Sequence, residues 1–348
     1  MSKNYMEWVT SETPTRWCCD RGNVQDMKKA VDWGFTFGVG NPLLTLKSIH
    51  IEKERMAPHI EECKNLKGEE KILELYKRYI LPTCEVLMPV FEKTDGKWGR
   101  QTVMVNPNKG HDVDYMVEQA IEMYKWAPNL SIKIPVTNAG LIAIEELASK
   151  GIHVTGTVGY SVAQGVKVAE AHDRGVKRAK RDGVKPNGAN YALFTSRLSQ
   201  WVAEDAQGSG YTWISEEESV WAGIAVGKRI AHAYVDNGYT DENDLWFVPA
   251  GMSKNAPWVA HQFVGGKVLL DGYMPDIEGI NEALKDERSQ PFSEPVDPDI
   301  IDKLMGSPLF RKMYEFDGLS KEEFLTFGPV PHIACSFGTM GFDQIANL

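Results

Sequence analysis

The chain has 348 residues, of which 38 are basic and 48 are acidic, so its formal net charge is −10. Apolar residues make up 43% of the chain and charged residues 25%, which is typical of a globular protein and excludes a collagen-like or largely disordered one. The acidic balance argues against a broad nucleic-acid-binding surface, because phosphate binding depends on clustered lysines and arginines.

Hydropathy and cysteine usage predict a cytoplasmic protein with reduced thiols. No stretch approaches about 18 uninterrupted apolar residues, so we expect no transmembrane helix. The first residues contain no apolar segment typical of a signal peptide. The five cysteines form no C-x-x-C pair and are too few for a disulfide framework. We interpret Cys18 and Cys19 as small apolar residues of a strand.

Short apolar runs rich in β-branched residues recur along the chain, and a longer helical pattern follows each of them. Several runs are apolar on both faces, which is typical of parallel strands that are covered on both sides. The predicted strands are Thr15–Asp20, Phe35–Gly40, Gln101–Pro107, Leu130–Thr137, His153–Tyr160, Asn190–Ser196, Leu245–Gly251 and Lys267–Tyr273.

Helical periodicity occupies the intervals between these strands. Asp112–Trp126 and Asn138–Lys150 carry apolar residues at helical spacing, and Gly151 follows as a left-handed terminator. Eight strands that alternate with helices predict a (β/α)8 TIM barrel of the α/β class. A doubly wound parallel sheet is the alternative, but no G-x-G-x-x-G follows the first strand and no Walker motif occurs.

Two segments exceed the minimal barrel. We predict a barrel over residues 1–285 and, packed on it, a helical C-terminal extension over residues 286–348. Within the extension, Asp299–Tyr314 and Lys321–Phe327 have helical patterns. The basic run Arg174–Lys185 is interpreted as a solvated helix face, with an anion-attracting rim as the alternative.

Lys133 interrupts an otherwise apolar predicted strand, although lysine is among the residues least often fully buried. Inside a barrel, desolvation disfavours the ammonium form and lowers the pKa of a lysine. A neutral amine can attack a ketone and form a Schiff base, whose iminium accepts the electrons released when a neighbouring carbon–carbon bond breaks. The pattern alone leaves a second interpretation open, a lysine at the barrel rim that extends to water.

The segment around Lys133 resembles a known family. Ser131–Leu141 (SIKIPVTNAGL), followed by Gly151–Thr157 (GIHVTGT), is similar to the Schiff-base strand and the next strand of the transaldolase family, which includes the smaller fructose 6-phosphate aldolases. The similarity continues through Tyr160–Gly165 (YSVAQG). Weaker landmarks in the same order extend it over most of the chain: Asp20, Asn41-Pro42, Arg197 and Lys254, which follow or end strands one, two, six and seven.

The resemblance implies a catalytic role for three residues. Lys133 would be the Schiff-base lysine, and Asp20 the acid that exchanges a proton with a substrate hydroxyl during carbon–carbon cleavage. Thr157 would help to hold the catalytic water. Without the resemblance, Asp20 is equally a turn or helix-cap residue, and Thr157 is a packing residue of a strand.

Four further residues would bind substrate by the same resemblance. Asn41 would bind hydroxyls of a dihydroxyacetone unit; without the resemblance, Asn41-Pro42 is simply a turn signal. Arg197 would hold a terminal phosphate, with Phe194 as the neighbouring aromatic residue. Arginine suits this task because its planar fork holds an oxyanion through two hydrogen bonds. Lys254 would be a second phosphate-binding cation, or otherwise a surface lysine.

The chain departs from the family pattern at several positions. The usual glutamate of the third strand, which is a glutamine in the small aldolases and activates the water, falls on Met104. A methionine cannot transfer a proton, and a register shift of two residues would place Thr102 or Asn106 inward instead. Met252 and Ala192 occupy two serine positions of the family. Two cations without the full set of hydroxyls suggest an anionic substrate whose head group is not an ordinary phosphate, such as a sulfonate or a carboxylate.

These features together predict an enzyme of carbohydrate metabolism, such as the pentose phosphate conversions. We expect a transaldolase-type transfer of a dihydroxyacetone unit from an anionic ketose to an aldehyde through a Lys133 Schiff base. A class I aldolase, a lyase that cleaves or forms the ketose without transfer, is the alternative. A sugar-binding relative without turnover is a third hypothesis, against which the presence of both Lys133 and Asp20 argues.

The expected partners are small sugars, and neither a nucleic acid nor a membrane; homo-oligomers are left open. We expect no cofactor and no metal, because no cluster of His and Cys ligands is evident. His153, His172, His232 and His261 are scattered along the chain. His232, between two alanines, is interpreted as a structural or solvated helix residue.

Overall fold

The computed structural model describes residues 3–20 and 23–348. Eight parallel strands form a closed barrel in which each strand pairs with its neighbour in the chain and β8 pairs with β1. The strands are β1 (Arg16–Asp20), β2 (Phe37–Val39), β3 (Arg100–Met104), β4 (Leu130–Pro135), β5 (Val154–Gly159), β6 (Ala189–Leu193), β7 (Leu245–Met252) and β8 (Leu269–Tyr273). The predicted (β/α)8 barrel is confirmed.

Helices surround the barrel, and three rather than one connect β2 to β3 and β6 to β7. The helices are α1 (Tyr5–Glu12), α2 (Val24–Asp32), α3 (Pro42–Ile51), α4 (Lys53–Glu62), α5 (Gly68–Lys93), α6 (Val113–Tyr124), α7 (Asn138–Ser149), α8 (Val162–Arg181), α9 (Thr195–Ser209), α10 (Glu216–Asp236), α11 (Tyr239–Asn243), α12 (Pro257–His261), α13 (Met274–Ala283), α14 (Pro298–Met305), α15 (Pro308–Tyr314), α16 (Val330–Phe337) and α17 (Asp343–Ile345). Short 3-10 turns occupy Pro107–Lys109 and Pro291–Ser293, and a π-helical turn occupies Gly338–Phe342.

Polar N-cap residues turn the chain from strand to helix. The Asn41 side chain accepts a hydrogen bond from the Leu44 backbone at the start of α3. Thr137 and Ser161 do the same for α7 and α8, at 2.9 and 3.1 Å. Each cap satisfies a backbone N–H that has no partner within its helix. The caps fix where β2, β4 and β5 stop, and therefore which side chains reach the open end of the barrel.

Most predicted strands extend too far at their C-terminal ends. The sequence pattern predicts β3 up to Pro107 and β4 up to Thr137, whereas β3 ends at Met104 and β4 ends at Pro135. The residues beyond these ends are buried, although they leave the sheet. An apolar pattern reports burial, whereas a strand also requires a paired neighbour, so burial alone places the ends too late.

The C-terminal extension differs from its predicted helices. Asp299–Tyr314 is not one helix, because Ser307 accepts a hydrogen bond from Phe310 and Pro308 begins a second helix, which separates α14 from α15. Lys321–Phe327 forms successive turns instead of a helix. Its buried residues, Phe324 and Phe327, have a spacing of three, which turns satisfy as well as a helix does.

The extension shares the core of the barrel. Leu304, Phe310 and Met313 belong to the same buried apolar cluster as the barrel strands and their helices. Near the chain end, α16 contacts β5, and the Phe337 ring lies 6.2 Å from that of Phe194. The division of the chain at residue 285 stays a prediction.

The basic run on α8 is paired with acidic residues. Arg174 contacts Glu145 at 2.7 Å and Arg178 contacts Glu146 at 2.6 Å, which supports the interpretation as a solvated helix face. His232 is exposed on α10 beside Phe292, as expected for a solvated helix residue. Within residues 3–20 and 23–348, the helices are too short or too polar to cross a membrane.

If the extension and the barrel unfold together, truncating a buried anchor of α15 must destabilise the whole chain. We expect Phe310→Ala to lower the free energy of unfolding by about 3–5 kcal/mol, because the fully buried ring leaves a cavity. Phe316→Ala is the matched control; its ring is 49% exposed and stacks on Arg229, so a loss below about 1 kcal/mol is expected. Urea unfolding measures both, and equal losses would contradict the shared core.

Candidate active site

A cavity inside the barrel reaches the C-terminal ends of the strands, where Asp20, Asn41 and Phe194 line it. TIM barrels carry their active sites at this end. Its polar lining comes from six strands, β1, β3, β4, β5, β6 and β8, and from Asn41, which follows β2. The lining includes Asp20, Asn41, Thr102, Lys133, Thr155, Thr157, Asn190 and Asp271, and its aromatic residues are Phe37 and Phe194. Among the lining residues in the described part of the chain, three are titratable: Lys133, Asp20 and Asp271.

Lys133 is in the barrel interior and not at its rim. The side chain is on β4, is 4% exposed, and donates a hydrogen bond from Nζ to the Gly40 carbonyl at 3.2 Å. Burial lowers the pKa of this lysine from its usual 10.5, while the nearby Asp20 and Asp271 act in the opposite direction. At a given pH, a larger fraction of this amine is therefore neutral and nucleophilic than in a solvated lysine.

Asp20 lies at the C-terminal end of β1 and lines the same cavity as Lys133. The carboxylate is partly buried, and it is near enough to Lys133 to favour the ammonium form of that lysine. A carboxylate in this position can accept a proton from a group bound at the amine.

Asp271 is a site residue that sequence reasoning missed. It lies on β8, where its backbone is in register with Cys18 of β1, and it is 5% exposed. Burial and the neighbouring Asp20 raise its pKa to about 8, although Lys133 and the Cys18 thiol, which donates to Oδ1 at 3.4 Å, oppose the shift. The signal was present, because a carboxylate interrupts the apolar run of this strand just as Lys133 interrupts that of β4.

Asn41, Thr157 and Phe194 also line the cavity. Asn41 Oδ1 accepts from the Leu44 backbone at 3.0 Å, so the helix cap fixes the amide and leaves Nδ2 as its donor. The fully buried Thr157 Oγ1 has no hydrogen-bond partner among the residues that the structure describes. Phe194 packs on Tyr160 with a centroid distance of 5.4 Å.

Backbone strain accompanies Thr157. The pairing of β5 with β6 shifts its register between Gly156 and Gly159, and the intervening Val158 has a φ of +63°. A left-handed conformation costs a non-glycine residue about 1–2 kcal/mol, and β-branched residues rarely adopt it. The bulge retains this strain and gives Thr157 its position in the cavity wall.

The third strand presents Thr102 and not a proton-transferring group. Thr102 lines the cavity and accepts a hydrogen bond from the Gly40 backbone at 2.9 Å. Met104 is fully buried in a neighbouring apolar cavity together with Val330 of α16. Asn106 does not line either cavity, and its backbone N–H donates a hydrogen bond to Gln119 Oε1 at 2.6 Å. Of the two residues that a register shift would turn inward, the structure brings only Thr102 to Lys133.

Arg197 and Lys254 stand at the rim rather than in the cavity lining. Both side chains are exposed, and they follow the neighbouring strands β6 and β7. The Ser196 hydroxyl donates to the Gly251 carbonyl at 2.5 Å, which ties the two segments together. The structure therefore brings five predicted residues to one cavity and places the two predicted cations at its edge.

The buried amine makes a testable contribution to stability. Because the pKa of Lys133 is lower in the folded state, the unfolded state binds more protons between that pKa and about 10.5. Wild-type stability must therefore rise with pH relative to a Lys133→Met variant, by up to about 1.4 kcal/mol per pH unit. Urea unfolding from pH 6 to 10 measures the difference. The exposed Lys150→Met is the control, for which parallel curves are expected; parallel curves for Lys133→Met would contradict the lowered pKa.

Comparisons with known proteins agree on one family. Residues 17–253 match the model of the family described as Transaldolase/Fructose-6-phosphate aldolase. A transaldolase of Mycobacterium bovis is 40% identical over 102 residues, which cover 29% of this chain and 27% of the relative. Transaldolase 1 of Streptomyces avermitilis is 29% identical over 50% of this chain and 47% of its own. A transaldolase of Thiobacillus denitrificans is 30% identical over 52% and 53%.

These alignments span between about a quarter and about half of the length of the relatives. Among solved structures, the carboxyl transferase domain from Rhizobium etli pyruvate carboxylase aligns with 99% of this chain and 54% of its own at a TM-score of 0.32 and 12% identity, which is too little to bear on fold or function. The family match covers more than half of the chain and includes β2 to β7 and all of β1 except Arg16. The chain therefore belongs to the Transaldolase/Fructose-6-phosphate aldolase family.

Proposed function

We propose that this chain is a transaldolase-type enzyme of carbohydrate metabolism in the cytoplasm. It transfers a dihydroxyacetone unit from an anionic ketose to an aldehyde through a Schiff base on Lys133. The observation that carries the proposal is the buried Lys133 amine, whose pKa is lowered by desolvation and which shares a cavity with carboxyl groups at the C-terminal end of the barrel. The family supports the same reaction class.

The reaction begins with attack of the Lys133 lone pair on the ketose carbonyl carbon. The resulting carbinolamine loses water and becomes an iminium. The bond between the third and fourth sugar carbons then breaks, and its electron pair moves toward the iminium to give an enamine. Asp20 takes the proton of the hydroxyl on the fourth carbon, which leaves as an aldehyde. The same steps in reverse join the enamine to an acceptor aldehyde.

Three lining residues would hold the donor sugar and the water. Asn41 Nδ2 is positioned to bind hydroxyls of the dihydroxyacetone unit, because its oxygen is engaged by the α3 cap. The free Thr157 Oγ1 suits a water molecule beside the amine. Phe194 provides an apolar wall against the sugar carbons.

Arg197 and Lys254 would bind the anionic head group at the rim. Both are exposed cations that follow adjacent strands, and Arg197 lies in the first turn of α9, where the helix dipole also favours an anion. A phosphate, a sulfonate or a carboxylate fits these cations. Ala192 lines the cavity and offers no hydroxyl to such a group.

Transfer is favoured over simple cleavage by the surroundings of the third strand. Met104, Val136, Val158 and Val330 line an apolar cavity at the position where the family carries a water-activating glutamate or glutamine. Apolar walls exclude water and so protect a bound enamine from protonation. A class I aldolase, which releases dihydroxyacetone, remains the second candidate because Thr157 can still hold one water.

Trapping the Schiff base tests the proposal. We expect borohydride reduction after incubation with fructose 6-phosphate or 6-sulfofructose to leave a covalent adduct on Lys133, which peptide mass spectrometry locates. Lys133→Met must abolish the adduct and the turnover together, because a thioether cannot form an imine. The control Lys150→Met, an exposed lysine, must retain both.

Absence of an adduct across phosphorylated and sulfonated ketoses, with unchanged turnover in Lys133→Met, would refute the mechanism. Addition of erythrose 4-phosphate as acceptor separates transfer from cleavage. A transaldolase forms the new ketose and little free dihydroxyacetone, whereas an aldolase releases dihydroxyacetone at the same rate with and without acceptor. Ketose binding with neither transfer nor cleavage would identify a sugar-binding relative.

The rim cations make a separate prediction. Arg197→Gln should raise KM for fructose 6-phosphate about 10- to 100-fold, since a hydrogen bond to a charged group contributes about 1.5–3 kcal/mol. The same variant should form the dihydroxyacetone adduct normally, because that ketone carries no anionic group. Arg311→Gln, an exposed arginine on α15, is the control. An equal loss with both ketones would show that Arg197 supports the fold of the site and not the anion.

A further inference from the structure

Schiff-base formation needs a proton donor for the departing hydroxyl, and the family's residue for water activation is replaced here by Met104. We infer that Asp271 is a further catalytic residue, the acid that protonates the carbinolamine hydroxyl on Lys133 and the base that takes the proton back during hydrolysis. This inference rests on the proposed function and assigns a role to a residue outside the predicted set.

The composition of the cavity supports the assignment. Among its lining residues in the described chain, three can exchange a proton: Lys133, Asp20 and Asp271. Lys133 supplies the nitrogen of the adduct, and Asp20 is engaged by the sugar hydroxyl at the cleaved bond. The remaining polar lining consists of hydroxyl and amide side chains such as Thr102, which orient water but do not act as acids near neutral pH.

The barrel places Asp271 at the right depth. In the closed order of eight strands, β8 lies diametrically opposite β4. Lys133 and Asp271 line the same cavity, and the Asp271 carboxyl group is near enough to favour the ammonium form of Lys133. Asp271 is in register with Cys18, two residues before Asp20 on the neighbouring strand. It therefore lies one layer deeper than Asp20, so an adduct at Nζ has one carboxyl group at the mouth and another below.

The groups around Asp271 explain why it can hold a proton. On β1 it faces the Asp20 carboxylate and the Cys18 thiol, with Cys19 in the same strand, and on β4 it faces the Lys133 amine. From β2, β7 and β8 itself the neighbouring cavity walls are apolar: Val39, Val248, Ala250 and Leu269. Two carboxyl groups in so small a space cannot both ionise easily, and the deeper one is the less solvated. Its raised pKa agrees with that geometry.

The proton and electron balance is simple. The Lys133 lone pair forms the carbon–nitrogen bond, the nitrogen then gives up one proton while the former carbonyl oxygen gains one, and a neutral carbinolamine results. Asp271 then donates its proton to that hydroxyl, the carbon–oxygen bond breaks, and water leaves. The nitrogen lone pair becomes the second bond of the iminium. The products are an iminium cation and the Asp271 carboxylate, which stabilise each other in the low dielectric of the barrel.

Dihydroxyacetone is the probe for this step, because it forms the adduct without carbon–carbon cleavage and without an anionic head group. It has no hydroxyl at a cleaved bond to engage Asp20, so the Asp271 comparison is also made in an Asp20→Asn background, in which Asp20 cannot donate a proton in its place. Samples are quenched with borohydride at timed intervals, and the Lys133 adduct is quantified by mass spectrometry. We expect Asp271→Asn, which keeps the shape but cannot transfer a proton, to slow adduct formation about 10²- to 10⁴-fold near pH 7. Asp173→Asn, on α8, is the matched control and must keep the wild-type rate.

The pH dependence separates proton transfer from a structural role. The Asp271 carboxylate raises the pKa of Lys133, so Asp271→Asn also changes the fraction of neutral amine. Each adduct-formation rate is therefore divided by that fraction, taken from a Lys133 titration of the same protein, and the ratio of the corrected rates isolates Asp271. This ratio should fall toward one as the pH rises past about 8, where the wild-type carboxyl loses its proton. A merely structural defect would leave the ratio constant. Asp271→Glu should restore part of the rate together with the pH-dependent ratio.

Each outcome bears on a distinct claim. A wild-type adduct together with a wild-type rate for Asp271→Asn, or a pH-independent ratio, overturns the role of Asp271 and leaves the proposed function intact. No adduct in wild type overturns the proposed function itself. If Asp271→Asn does not fold, the wild-type pH profile becomes the test. The inference then fails if the wild-type rate of adduct formation, corrected for the fraction of neutral Lys133, does not decline above about pH 8.

Discussion

Desolvation of the Lys133 amine is the constraint around which the site is arranged. An ammonium group in the barrel interior loses its hydration, and a single hydrogen bond to the Gly40 carbonyl replaces only a small part of it. The neutral amine avoids this cost, which is why burial lowers the pKa. The two carboxyl groups oppose that shift, so the site balances three titratable groups in one small volume.

The closed barrel allows polar and titratable side chains to lie in its interior. Backbone hydrogen bonds of all eight strands are satisfied around the ring, so polar side chains can project inward without leaving an open sheet edge. Opposite strands supply the amine and the deeper carboxyl group, and Thr157, which directly precedes the strained Val158, lines the same cavity. The extension adds apolar side chains from α16 beside Met104, where a proton-transferring residue is absent. In our proposal, Asp271 on the eighth strand therefore transfers the proton that the family residue at the Met104 position would otherwise transfer.

Sequence patterns predicted the barrel well because alternating apolar runs and helical periodicity are local signals. They also identified Lys133, since a charge in an apolar run is visible without a structure. Asp271 gives the same signal, but no family motif surrounds it, so the pattern predicts only that it is part of a strand. Asn41 and Thr157 entered only through resemblance, because an Asn-Pro turn and a strand threonine are common in any fold. The exposure of Arg197 and Lys254 depends on how the start of α9 and the segment after β7 lie beside each other, which spacing along the chain does not encode.

In the C-terminal extension, apolar spacing alone was not enough to predict the helices. Apolar spacing predicted helices over Asp299–Tyr314 and Lys321–Phe327, whereas Pro308 divides the first and turns replace the second.

The most direct measurement of the central claim is the pKa of Lys133 itself. NMR titration of protein with 13C-labelled lysine side chains, with the Lys133 signal assigned by its loss in Lys133→Met, should give a value clearly below 10.5. A value at or above 10.5 would contradict a desolvated amine and the Schiff-base chemistry built on it.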